Sequence, residues 1–132
     1  MGVGIRCIAL AVLTSALVTG PAAAQAADSV PAAVTPAAIA AGKGLFLGEG
    51  LCLACHGADA KGSIGPDLTD KIWLHGTGSF ADIVAVVLAG VSSEQSKLGQ
   101  IMPPRGGSGI TDEQARVVAA YVWSLSRKPA RR

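Results

Sequence analysis

The sequence predicts an all-α domain of three to four short helices, and three observations lead to that prediction. Helix start and stop signals recur along the chain: Thr35-Pro36 and Ser79 open apolar runs, Gly48 to Gly50 and Gly90 close them, and Thr111 with Gln114 forms a capping box. The stretches between these runs are rich in glycine and proline. No segment reads as a convincing strand, and no internal repeat is visible.

The chain has 132 residues, one domain's worth. Half of it is apolar, but only Phe46, Trp73, Phe80, Tyr121 and Trp123 are aromatic. The net charge of +2, without a basic patch interleaved with aromatics, speaks against a nucleic-acid partner.

Residues 1–26 read as a cleaved secretory signal peptide. A short positive start ends at Arg6, an apolar run covers Cys7 to Val18, and small residues follow Pro21. Ala24 and Ala26 fit a small-x-small cleavage rule, so cleavage is expected after Ala26, with Ala24 and Ala27 as alternatives. The apolar run is short beside the roughly 20 residues of a membrane span, although an uncleaved anchor remains an alternative. Cys7 is expected to leave with the signal. Export places the mature domain in the periplasm, an oxidising compartment.

Residues 27–35 are small and polar, interrupted by Pro31, and read as a flexible leader. The domain proper is expected over 36–128. Its first helix starts at the Thr35 cap with Pro36 in the first turn and ends near Gly48–Gly50. Gly42 and Phe46 share a face of it. A glycine inside a helix is either tolerated weakness, costing about 1 kcal/mol relative to alanine, or a point of close approach. Residues 57–78 read as loop, with a turn of helix near Asp70–Leu74. The run from Phe80 to Ala89 is helical, capped by Ser79 and stopped by Gly90. Residues 91–110 read as loop again. The last helix has Asp112 and Glu113 at its positive end and an apolar stripe through Val118, Tyr121, Val122 and Leu125. Pro129 ends it. The tail, 129–132, completes the basic stretch "RKPARR".

So thin a set of helices makes a small core, and long loops need something to pack on. "LCLACHGADAKG", residues 51–62, offers an answer. Cys52, Cys55 and His56 are compatible with a redox dithiol, part of a zinc site, or C-x-x-C-H attachment of a haem. A dithiol of thioredoxin type lacks its βαβ context here. Zinc lacks a second ligand pair, since the mature chain holds only His75 as a further histidine and no further cysteine. Attachment of one haem c fits the spacing, with both thiols on one turn and the histidine beneath the iron. A disulfide across so short a loop would add little stability.

An electron carrier fills the sixth position of the iron, commonly with methionine. Met102 is the only methionine of the mature chain, and Pro103 and Pro104 stiffen its loop. Core filler is the plain alternative for Met102, and His75 is the rival ligand. The metal ligands expected are therefore His56 and Met102. A ligating histidine usually donates its other N–H to a carbonyl, and the Gly65-Pro66 turn is placed to supply one, with a plain loop turn as the alternative.

With C-x-x-C-H, G-P-D-L, the loop M-P-P and a helical end, residues 37–126 resemble a class I monohaem cytochrome c. The resemblance implies a small cytochrome c fold wrapped around one covalently bound haem c. It implies thioethers at Cys52 and Cys55, His56 as proximal and Met102 as distal ligand, and a Pro66 carbonyl orienting His56. It also implies a crossing of the first and last helices at Gly42, Phe46, Val118 and Tyr121. The stretch "LTDKIWLHGTGS" is similar to one in cytochrome c subunits of some haem–copper oxidases and in dehydrogenase-linked cytochromes, which implies Trp73 beside the haem, with a place in the structural core as its alternative. Residues 43–126 hold six basic and eight acidic side chains, a departure from the lysine-rich face of well-known soluble carriers.

The function expected is non-enzymatic: a periplasmic shuttle of single electrons between a respiratory or dehydrogenase donor and an oxidase or other acceptor, with no small-molecule substrate. The alternatives are a haem c subunit held in a larger membrane oxidase or dehydrogenase complex, and a haem enzyme or gas-binding protein with a labile methionine.

Overall fold

A computed structural model of the chain describes residues 1–2 and 30–127. The signal segment beyond its first two residues, the leader up to residue 29 and the tail 129–132 lie outside the described residues. Among the described residues the chain forms α1 (Pro36–Leu47), α2 (Leu53–His56), α3 (Phe80–Ala89) and α4 (Asp112–Leu125), with a 3-10 turn at Pro104–Gly107.

Each long helix begins on a side-chain cap. Thr35 Oγ1 accepts from the Ala38 N–H at 3.1 Å, and Pro36 occupies the first turn, where its missing N–H costs nothing. Ser79 Oγ accepts from the Asp82 N–H at 3.1 Å. At α4 the capping box is complete: the Gln114 N–H donates to Thr111 Oγ1, and the Thr111 N–H donates to Gln114 Oε1.

The framework is the crossing of α1 and α4, with α3 packed on α4 from another side. Gly42 makes the crossing close. A Cβ there would overlap the Val117 carbonyl oxygen and lie 2.9 Å from Tyr121 Cβ. Phe46, one turn on, is fully buried and meets the Tyr121 ring edge-on at 5.3 Å. Val118, Tyr121, Val122 and Leu125 are all buried, so the expected stripe is the core face.

Two expectations need correction. No helical turn forms near Asp70–Leu74. Asp67 accepts from the Thr69 N–H at 2.6 Å and Asp70 from the Ile72 N–H at 2.8 Å. These local bonds satisfy amide groups that a helix would otherwise use. Residues 91–110 are also more ordered than a plain loop. Val91 and Met102 pair in an isolated antiparallel bridge, with N–O distances of 2.8 and 3.0 Å, and the 3-10 turn follows directly.

Candidate functional site

α2 and its flanks bring Cys52, Cys55 and His56 to one wall of an apolar cavity. The chain leaves α1 through Gly48 and Gly50 and turns at Leu51, whose φ of 56° is left-handed. The Cys52 thiol donates to the Gly50 carbonyl at 3.3 Å. After α2 the chain folds back on it: the N–H groups of Ser63, Ile64 and Gly65 all point at the Cys55 carbonyl, at 2.9–3.2 Å. This loop delivers Pro66 to the histidine.

His56 is 8% exposed, and its Nδ1 lies 3.0 Å from the Pro66 carbonyl oxygen. A carbonyl only accepts, so Nδ1 carries the proton and Nε2 keeps a lone pair. Burial pushes the imidazole below its ordinary pKa, with the Pro66 bond partly opposing, so the ring is neutral and able to ligate. Gly65 is shaped to the ring: a Cβ there would stand 2.9 Å from His56 Cε1. Sequence reasoning missed that requirement: it drew from the Gly65-Pro66 turn only a carbonyl for the histidine, not a glycine against its ring.

The two thiols are half-buried and unpaired. Burial pushes the Cys52 thiol up, a backbone hydrogen bond partly opposes this, and Cys55 adds to the rise. The redox reading lacks its setting, since no strand leads into the pair among the described residues. The zinc reading fares no better: among the described residues no three His, Cys, Asp or Glu side chains are grouped as a metal site.

Other parts of the cavity lining come from further along the chain. Met102 is half-buried and lines it, its backbone pinned by the bridge to Val91. Trp73 and the rival ligand His75 line it as well, both half-buried. Gly78 sits against the Trp73 indole, where a Cβ would overlap the ring, and the Gly78 carbonyl accepts from Arg127 Nη2 at 3.1 Å. Ile83, Val87, Val118 and Val122 supply much of the apolar lining. Sequence reasoning counted Val118 and Val122 only as core, because one helix face serves both.

The donor set fits a c-type haem. Two thiols and a neutral imidazole on one short helix, a thioether on a second segment and aliphatic walls between them match its vinyl groups, its iron and its apolar macrocycle.

Comparison with known proteins agrees. The family model for cytochrome c oxidase, cbb3-type, subunit III, matches residues 37–122. The cbb3-type cytochrome c oxidase subunit CcoP of Rubrivivax gelatinosus is 41% identical over 121 residues, 91% of this chain and 34% of that protein. Subunit FixP of Sinorhizobium medicae is 38% identical over 96 residues, 70% of this chain and 32% of that protein. The chain thus spans about a third of the length of these relatives. Cytochrome CL of Methylophaga aminisulfidivorans superposes with a TM-score of 0.52 at 25% identity, covering 70% of this chain and 55% of that one.

Proposed function

The chain belongs to the family of cytochrome c oxidase, cbb3-type, subunit III, a monohaem c-type cytochrome with covalent haem c, and on that premise we propose that it carries single electrons as a haem c subunit associated with a membrane oxidase. A freely diffusing periplasmic shuttle was the first expectation. The subunit reading takes its place because the relatives carry the name of oxidase subunits. Its redox partners are then neighbouring proteins of such a complex, on the periplasmic side.

The observation that carries the reading is the convergence of Cys52, Cys55, His56 and Met102 on one cavity, with His56 Nδ1 committed to Pro66. Haem c supplies reversible one-electron exchange between Fe(III) and Fe(II) when bound. The residues do the rest. Cys52 and Cys55 hold the macrocycle through thioethers. His56 offers Nε2 as proximal ligand, and the Pro66 carbonyl fixes its tautomer and raises its basicity. Met102 would offer its thioether as the second ligand to the iron, and the apolar lining would exclude water. Trp73 closes one wall. His56 and Met102 would both ligate the iron of a bound haem c, which suits electron transfer rather than substrate turnover.

Two measurements test this. Oxidised holoprotein is expected to show the weak sulfur-to-iron charge-transfer band, and Met102→Ala to lack it. A native spectrum without the band, with high-spin iron that binds carbon monoxide, sinks the carrier reading. Mild-detergent purification of the chain from membranes of its source is expected to retain haem–copper oxidase activity. Recovery in the soluble fraction alone returns the shuttle to first place.

A further inference from the structure

Met102 sits on a short segment that packs against the end of α3. Its backbone pairs with Val91, and beyond Pro103 the chain forms the 3-10 turn Pro104–Gly107. At the centre of that turn is Arg105, with φ 54°, in the left-handed region that an unbranched, non-glycine side chain enters only when its surroundings hold it there. Three contacts hold it. Its carbonyl accepts from Ser108 Oγ at 2.6 Å and from the Ser108 N–H at 3.2 Å. Its guanidinium pairs with the Asp112 carboxylate in the first turn of α4. Gly106, beside it, abuts the Gly50 carbonyl of the loop that leads into Cys52.

The pair is half-exposed, 35% for Arg105 and 67% for Asp112. It is the one ion pair among the described residues, and it joins the Met102 segment to the helix that forms the core. Global stability does not need it, since α4 is capped by Thr111 and Gln114 and buried on its own apolar face. We infer that the Arg105–Asp112 pair is a latch that positions the Met102 loop over the haem cavity and resists displacement of the thioether from the iron. Arg105 and Asp112 are positioning residues that act through the backbone of the turn. The inference rests on Met102 as distal ligand.

Imidazole titration of the oxidised, full-length holoprotein tests it, with loss of the sulfur-to-iron charge-transfer band as the readout. Arg105→Gln and Asp112→Asn are each expected to bind imidazole about three- to fivefold more tightly, the scale of a single exposed ion pair. The double variant is expected to match either single one, because both remove the same contact. Denaturation midpoints are expected to stay close together. Unchanged imidazole affinity in variants that retain the band overturns the latch alone, as do effects that add in the double variant. A wild-type band that persists in Met102→Ala overturns the ligand reading, and the latch with it.

Discussion

The Nδ1 of His56 and the carbonyl oxygen of Pro66 stand 3.0 Å apart, although the two residues are separated by ten positions. The loop between them spends its amide groups on α2: three N–H groups converge on the Cys55 carbonyl, and the Gly62 N–H reaches the His56 carbonyl at 2.8 Å. The segment that carries both thiols therefore also sets the orientation of the ring. A proline carbonyl suits the role, because the fixed φ of the residue limits how far the acceptor swings.

Gly65→Ala is expected to disturb this arrangement. The added methyl meets the His56 ring at 2.9 Å, and the ring or the loop must shift. Overpacking of this kind costs about 1–3 kcal/mol. A longer bond to Pro66 makes the imidazole a weaker donor to the iron and disfavours Fe(III). The midpoint potential should rise, as read by redox titration. A variant of lowered stability but unchanged potential would break the link between the loop and the ligand.

Gly42→Ala pits two effects against each other. Alanine gains about 1 kcal/mol of helix propensity, but its Cβ overlaps the Val117 carbonyl oxygen and crowds Tyr121. Backbone does not yield as a side-chain tip would, so the clash should win. Urea denaturation is expected to show a net loss of about 1–2 kcal/mol. A net gain would mean that α1 and α4 can separate at no cost.

Asp82 gives a pH signature. Its carboxylate accepts from the Thr77 N–H and from Thr77 Oγ1, each at 2.7 Å, and these bonds, the side-chain one foremost, hold its pKa below the ordinary carboxylate range. A depressed folded pKa contributes stability above the unfolded pKa, and that contribution is lost as pH falls through the folded value. Asp82→Asn should therefore be less stable than wild type at neutral pH, by about 0.5–1 kcal/mol for so exposed a site. The gap should close in acid. Denaturation midpoints of the two proteins at neutral and acid pH measure it, and a gap that widens in acid contradicts the assignment.

The helices were legible because their signals are local. Thr35, Ser79 and the Thr111–Gln114 box each act within a single turn. The attachment motif was legible for the same reason, since Cys52, Cys55 and His56 share one short helix. Long-range relations were not legible. Nothing local distinguishes Gly65, which faces the His56 ring, from Gly99, which faces open space. The Val91–Met102 bridge joins segments whose pairing depends on where α3 ends. The turn expected near Asp70–Leu74 failed because Asp67 and Asp70 bond their own downstream amides, a competition that helical periodicity does not register.

Gly90 offers a way to move Met102 without touching its side chain. Gly90 has φ 72°, and a Cβ there would overlap the Met102 carbonyl oxygen and stand 2.8 Å from Pro104 N. Gly99 also has a positive φ, 73°, with nothing within 4 Å of the Cβ position. Alanine is strained by the positive φ at either position, more so at Gly90, whose ψ of −165° lies in a region essentially restricted to glycine, and only at Gly90 does it also push on the bridge that pins Met102. Gly99→Ala is therefore expected to lose stability and keep the sulfur-to-iron band. Gly90→Ala should lose stability and weaken or abolish the band, with helix content by circular dichroism unchanged in both. If the two variants behave alike, the bridge does not place the methionine, and the ligand is held by its side chain alone.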